Sequence, residues 1–421
     1  MTSDSRLPPR AWLIVALLWF VGCFNYLVRM MITTMHGSIV AAIPMSEAHF
    51  GLLTSAFLWT YALFSPVGGF MADRFSRSRV ILVSMLAWSA VTWLTAYARN
   101  FPELVAMRAL LGMSEACYLP AALALISDYH RGPTRSLATA VHMTGIGVGS
   151  ILGALGGSLA EHHTWHYAFS LMGAVGIGYW SFLIFILRDS PRESGVGGVP
   201  GADALPRVGF GAALASLFSR GPFILALTFW GILGLDAWLL GGWLPVYLKE
   251  HFHLGQGAAG WAATGYSFTA GLVGALVGGA WADRWSRRRF RARIFVPAIG
   301  LCLCAPGILL TARTDVLVFA LAGLVVFGFF RSFVDCNMMP ILCLVSDPRY
   351  RATGYGILNC FACVIGGLAI YAGGALRDHQ VDLSKAFVFA AATLVLCAGI
   401  LLLIKPRVPA SAGSPMPPRS I

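Results

Sequence analysis

The sequence predicts an all-α membrane protein of twelve transmembrane helices in two pseudo-symmetric six-helix bundles, and three observations carry that reading. Hydrophobic residues make up 57% of the chain and charged residues only 11%, with a mean hydropathy of +0.73; a soluble domain carries about a quarter of its residues as charges. Twelve apolar segments approach the roughly 20 residues needed to cross a bilayer. The third observation is an internal repeat. Gly68-Gly69-Phe-Met-Ala-Asp73-Arg74-Phe-Ser-Arg77-Ser-Arg79 recurs as Gly278-Gly279-Ala-Trp-Ala-Asp283-Arg284-Trp-Ser-Arg287-Arg-Arg289, 210 residues later and half the chain away. Ser127-Asp128 recurs as Ser346-Asp347 in the same manner.

The first segment, 12–35, carries Asn25, Arg29 and Thr33 at steps of four, a single polar stripe on an apolar cylinder. The second and third, 51–72 and 80–98, are joined by the first copy of the repeated loop. The fourth, 104–127, holds Arg108 and Glu115. Seven residues at about 100° each return Glu115 to within about 20° of Arg108, about 10 Å along the same stripe. Gly112 lies between them, so a ligand or a second helix can approach the backbone there. A charge so deep in a spanning helix costs on the order of 3 kcal/mol and faces a cavity or a partner. Running inward, this segment places Arg108 at the depth of Arg29 and Glu115 near the midplane.

The fifth segment, 136–160, contains His142 near its inner end and Gly145, Gly149 and Gly153 at steps of four, the spacing of a helix-packing seam. After the sixth, 167–187, a polar Gly- and Pro-containing stretch from 188 to 220 links the two bundles. The seventh segment, 222–248, bears Asp236, then Trp238 and Trp243 around Gly241-Gly242, and Pro245, so it is expected to bend where it closes an outer gate. The eighth and ninth, 257–282 and 294–312, flank the second repeated loop. The tenth, 316–346, carries Arg331, Asp335 and Asn337; the eleventh, 352–376, carries Asn359; the twelfth is 385–404. Arg331 and Asp335, four residues apart, can pair on one helix face. The expected domain organisation is a cytoplasmic N-terminus 1–11, bundles 12–187 and 221–404, the linker between them, and a cytoplasmic tail 405–421.

The net charge of +12 is arranged for a membrane rather than for nucleic acid. Of the 30 lysines and arginines, Arg29, Arg108 and Arg331 lie within helices, and Arg99, Lys249, Arg313, Arg377 and Lys385 fall on one side. The remaining 22 fall on the other side. By the positive-inside rule that side is cytoplasmic and holds both termini. The nine cysteines lie within apolar segments at no metal-binding spacing and read as small buried side chains. The first apolar run is too long for a cleavable signal, and no glycosylation sequon occurs, which points to a bacterial inner membrane. No G-x-x-x-x-G-K-[ST] stretch is present for ATP-driven pumping, and no nucleophile is spaced with a base as in an enzyme. No cofactor or metal is expected, and a monomer in the bilayer is.

The paired G-x-x-A-D-R-x-x-R-x-R loops resemble the signature of the major facilitator superfamily, a resemblance that with the two-half helix count covers essentially the whole chain. It implies that Gly69, Asp73, Arg74 and Arg77, with Gly279, Asp283, Arg284 and Arg287, are gating parts that hold and release contacts across the inner face. Asn25-Tyr26-Leu-Val28-Arg29, together with Arg108 and Glu115, resembles the organic-anion permeases, including the proton-coupled sugar-acid transporters and the sialin group. That resemblance implies that Arg29 and Arg108 bind a substrate carboxylate and that Glu115 carries a proton. The sugar-acid members have an aspartate where this chain has Val28, which bears on the number of protons moved. Gly112-Met-Ser-Glu115-Ala-Cys-Tyr118 also resembles the Spinster lysolipid and sphingolipid transporters. Drug exporters of the superfamily carry an arginine near Arg108 too, but the fifth segment lacks the proline of their glycine motif.

A guanidinium keeps its charge and offers a planar fork that matches a carboxylate, so an anion is favoured over a sugar or a cation. The substrate-binding candidates are Arg29, Arg108, Asn25, Tyr118, Asp236, Arg331, Asn337 and Asn359; the proton-coupling candidates are Glu115, Asp335 and His142. The alternatives weighed against these roles are interhelix ion pairs for the charged groups and a packing role for His142. The six membrane-depth charges, three of each sign, sum to zero. If every guanidinium pairs in a dry lattice, nothing is left to attract an anion; protonation of Glu115 would leave a positive site. The expected function is proton symport of a sugar acid or other monocarboxylate by alternating access, with a Spinster-like lipid transporter, a drug/proton exporter or a non-transporting sensor as alternatives.

Overall fold

The computed structural model describes residues 10–130, 134–189, 210–289, 291–346 and 351–404; the sequence expectations for 1–9, most of the linker and the tail lie outside the described residues. Among those described, every regular element is a helix: α1 (Ala11–Thr34), α2 (His36–Ala42), α3 (Glu47–Arg74), α4 (Arg77–Thr95), α5 (Phe101–Glu115), α6 (Tyr118–Tyr129), α7 (Arg135–Leu152), α8 (Ala154–His162), α9 (Trp165–Ile186), α10 (Phe210–Phe218), α11 (Gly221–His251), α12 (Gln256–Ser286), α13 (Ala292–Arg313), α14 (Leu317–Asp335), α15 (Met338–Val345), α16 (Arg351–Asp378) and α17 (Leu383–Leu403). Helix starts follow capping chemistry: Ser46, Asn100 and Thr164 each accept a backbone N–H three residues on, at the heads of α3, α5 and α9.

Among the described residues, eleven spans are both long and apolar enough to cross a membrane. The twelfth expected from the sequence is α12, 31 residues long, in which Gly, Ala, Ser and Thr dilute the hydropathy. Those small residues serve packing. Cβ atoms at Gly274 and Gly328 would run into Phe329 and Ser267, so α12 and α14 cross at backbone contact. The step-four glycines of α7 form the same kind of seam against α1, where Gly145 meets Trp19 and Gly149 meets Cys23.

Three expected spans are each interrupted once. The chain breaks at Ala116-Cys117 between α5 and α6 and at Cys336-Asn337 between α14 and α15. The cause is the same in both bundles: Pro120 and Pro340 lack the N–H that would bond four residues back, to residues 116 and 336. These prolines stand 220 residues apart, as do Glu115 and Asp335, so each bundle has a joint directly after its acid. The third break separates α7 from α8 at Gly153. One helix falls in the range read as linker: α10 is apolar and starts the approach to α11.

The bundles meet through α3 against α16 and α8 with α7 against α12. Ser55 donates to the Gly367 carbonyl at 2.6 Å and Trp59 to Val364 at 3.2 Å. Across the second seam Gln256 bonds to Ser38 and Gly157, Gly257 to Glu161, and Thr264 to Ile151. Hydrogen bonds between described residues of the two bundles thus run from the ends opposite the basic loops to about the middle of the helices. The two bundles are held together on the face opposite the basic loops.

Candidate functional site

Helical periodicity puts Asn25, Arg29 and Thr33 on the inner stripe of α1, and Arg108, Gly112 and Glu115 on that of α5. What approaches at Gly112 is a helix rather than open space: a Cβ there would strike Thr60 and the Phe57 carbonyl, so α3 lies directly on α5. That crossing delivers Phe57 and Tyr61 to the charges. Arg29 donates to Glu115 Oε2 from Nε at 3.2 Å and from Nη2 at 2.9 Å. Its guanidinium carbon lies 4.3 Å from the Tyr26 ring centre, 4.7 Å from Tyr61 and 4.9 Å from Phe57, so the cation sits in an aromatic enclosure.

Arg108 lies 4.8 Å from the centre of the same Phe57 ring, so both arginines stand against one aromatic side chain. It is 2% exposed, and its Nε and Nη1 find no hydrogen-bond acceptor among the described residues. Asn25, enclosed beside it, turns its side-chain amide toward the Glu115 carboxyl. A buried guanidinium left this way is costly, because the desolvation of its donors goes uncompensated. The first bundle is therefore no closed lattice of pairs. Arg29 is neutralised by Glu115, and Arg108 is not neutralised.

In the second bundle Arg331 pairs with Asp335 at 2.5 Å on one face of α14, with Arg331 largely enclosed and the Asp335 carboxyl 53% exposed. Asp236 on α11 is fully enclosed at 0% exposure; its Oδ1 lies 2.7 Å from the Thr393 hydroxyl and its Oδ2 has no partner. Asn337 gives its amide to the Phe333 carbonyl at 2.9 Å, and Asn359 is half-buried on α16. Of the six charges, four pair within their own bundles, leaving one cation in the first and one acid in the second.

Two residues grouped with the site by sequence lie elsewhere. The Tyr118 hydroxyl donates to the Leu18 carbonyl at 2.9 Å and its ring packs edge-on to Trp88 and His142. His142 is buried over Gly22, with its ring toward the backbone of Leu18. Both tie α6 and α7 to α1, nearer the basic loops than Glu115.

At the repeated loops, Arg77 bonds to the Ala124 carbonyl at 3.1 Å and ion-pairs with Asp128, while Asp189 takes bonds from Ser76 Oγ and from Ser78 N at the head of α4. Gly69 has open space where a Cβ would stand, and Arg74 is exposed above Phe70. The Asp73 side chain lies outside the described residues. In the second copy Asp283 meets Arg293 at 3.5 Å, Gly279 faces Cys336, and Arg284 and Arg287 are exposed.

Sequence reasoning missed the outer seal. Glu47, at the head of α3, accepts from His36 at 2.8 Å and from Nη2 of Arg377 on α16 at 3.4 Å. Arg377 also holds Glu250 of α11 through two bonds, 2.9 and 2.8 Å. Asp378 caps α3 by accepting from the backbone of Glu47 and Ala48. Trp243 lies beneath, with its indole N–H on the Ile370 carbonyl and Arg377 over its ring. The signal present in the sequence was the set of charges at helix ends, a common position for solvated groups, and nothing paired them across 330 residues.

A family model described as Major Facilitator Superfamily matches residues 18–239 and again 231–419. The probable sulfoacetate transporter of Cupriavidus necator is 27% identical, covering 93% of this chain and 93% of that protein. The gallate transporter of Pseudomonas putida is 28% identical over 92% of each. Protein spinster of Drosophila melanogaster is 26% identical over 72% of this chain, which spans about half (49%) of that longer relative. Among solved structures, a bacterial homologue of the human lysosomal transporter Spinster, in an inward-facing and unoccupied conformation, superposes with a TM-score of 0.75 at 20% identity, covering 94% of this chain and 95% of that one.

Proposed function

The chain belongs to the Major Facilitator Superfamily, and from that premise we propose that it carries a small organic anion, a monocarboxylate, across the bacterial plasma membrane by proton symport. The observation that carries this reading is Arg108: a guanidinium 2% exposed, with Nε and Nη1 unanswered among the described residues, beside a second guanidinium whose partner is a titratable acid. A carboxylate is the chemical complement of that arrangement. Relatives named for sulfoacetate and gallate transport support the same class.

With the basic loops cytoplasmic, the cycle runs as follows. In the outward-open state Glu115 takes a proton and its hold on Arg29 weakens. Arg29 and Arg108, facing one another across Phe57, then receive the carboxylate. The bundles rock about the site, the outer seal of Glu47, Arg377 and Asp378 forms, and substrate and proton leave inward. The repeated loops, with Arg77 bound to α6, act as gate parts at the inner face, where Asp73 and Asp283 occupy equivalent places.

The test is uptake of radiolabelled gallate, sulfoacetate and galactonate into proteoliposomes. Uptake of one of these rises with an inward proton gradient and loses that dependence in Glu115→Gln. Gradient-driven uptake at full rate in that variant removes Glu115 from coupling. The Spinster relatives support a second reading, a lysolipid substrate; saturable binding of a fluorescent lysolipid, displaced by none of the acids, decides for it.

A further inference from the structure

Asp236 has a proton inventory that does not close while it is ionised. The Thr393 hydroxyl oxygen lies 2.7 Å from Asp236 Oδ1, 2.8 Å from the Ala390 carbonyl and 3.3 Å from the Phe389 carbonyl. A hydroxyl has one hydrogen, and all three neighbours are acceptors if Asp236 is a carboxylate. One short contact would then set lone pair against lone pair, and Oδ2, enclosed without a partner, would face nothing at all. No cation bonds to Asp236 among the described residues.

The surroundings on every side fail to supply one. From α14, Arg331 is held by Asp335, although its charge reaches Asp236. From α13 and α17 come the thiols Cys304 and Cys397, in electrostatic reach of both Asp236 and Arg331. From α16 come Ala362 and Gly366, against Gly234 and Trp238. A fully enclosed carboxylate in that setting neutralises itself by taking a proton. With a proton on the carboxyl both contacts close: the acid donates to Thr393, and Thr393 donates back to Ala390 within α17, a habit of helical threonines.

We propose that Asp236 is a second proton-binding site, occupied in this outer-sealed conformation and emptied when Arg331 leaves Asp335 to become its counter-ion. On release the carboxyl O–H bond breaks and the proton passes to water on the side then open. The carboxylate takes the guanidinium, and Asp335, half in contact with solvent, keeps its charge in water. The occupancy of the site stands on its own geometry; its use as a second proton carried per substrate rests on the symport reading above.

Infrared difference spectroscopy of the full chain in bilayers reads the carbonyl stretch of a protonated carboxylic acid directly. At neutral pH one such band is present, survives Glu115→Gln, disappears in Asp236→Asn, and shifts in Thr393→Val while Thr393→Ser leaves it in place. The Thr393 shift keeps the test decisive if Asp236→Asn does not fold. An acid region identical in native protein and Asp236→Asn overturns the proposal, as does a band indifferent to Thr393→Val. In proteoliposomes the proton-to-substrate ratio falls by one in Asp236→Asn; an unchanged ratio overturns the carrier role. Absence of any proton flux in the native protein would instead overturn the symport reading and leave the band to decide Asp236.

Discussion

The two bundles share a plan and spend their charges oppositely. Glu115 and Asp335 stand 220 residues apart, each followed by the same proline-induced break, yet the residue 220 after Arg108 is Gly328. Where the first bundle presents a guanidinium with two nitrogens unbonded among the described residues, the second presents bare backbone pressed against Ser267 of α12. The first bundle's leftover charge is a cation and the second's is an enclosed acid. Duplication built the frame, and the charges placed on it differ between the halves.

The largest effect is expected from removing the cation that has no partner. Arg108→Met should lower uptake by at least about 100-fold, the loss of roughly 3 kcal/mol of charge-assisted bonding to a carboxylate, while the melting temperature holds or rises. Arg29→Met strands Glu115 and should cost about 3–5 kcal/mol of stability. Equal destabilisation by the two variants, measured by thermal unfolding, would break the contrast.

A smaller effect is expected at the pseudo-equivalent glycine. Gly328→Ala pushes a methyl into Ser267 and should destabilise by about 1–3 kcal/mol, with uptake per folded molecule near native. If uptake falls as far as in Arg108→Met, the second bundle shares the anion site and the asymmetry fails.

The smallest concerns the helices that follow the repeated loops. At α4 the enclosure of Asp189 works against its charge, but the bonds from Ser76 and Ser78 outweigh that and hold it below the usual carboxylate range. At α13 the N-cap residue, Arg291, makes no side-chain cap. A depressed value means that the contribution of Asp189 is present above about pH 4, the ordinary carboxylate value, and is lost as the pH falls through the depressed one. Asp189→Asn should therefore melt slightly below native at pH 7 and converge with it on acidification, whereas Arg291→Ala should show no such convergence.

Much of this was legible in the sequence. The apolar segments and paired loops specify the helices, and step-four spacing specifies the α1–α7 seam. The i,i+4 rule anticipates Arg331 with Asp335, and period alone places Arg108, Gly112 and Glu115 on one stripe. What periodicity cannot do is choose partners between helices. It allowed Arg29 to bind substrate or an acid, and the fold gives it Glu115. It grouped Tyr118 and His142 with the site by helix, although their contacts lie against α1 on the other side of Glu115. The breaks after Glu115 and Asp335 were hidden because hydropathy counts Pro120 and Pro340 as parts of one apolar run. The outer seal stayed invisible because it joins helix ends that only the folded arrangement brings together.

That seal has a further consequence. Arg377 lies between Glu47 and a Glu250 carboxyl that is half in contact with the medium, so dissolved ions compete for the same attractions over about 10 Å or less at ordinary salt. The pair of Arg29 and Glu115, shut inside aromatic walls, is shielded from that competition. How readily this seal parts is thus partly a property of the bath, whereas the strength of the enclosed pair is not; a rise in salt should loosen the hold of Arg377 while leaving Arg29 on Glu115.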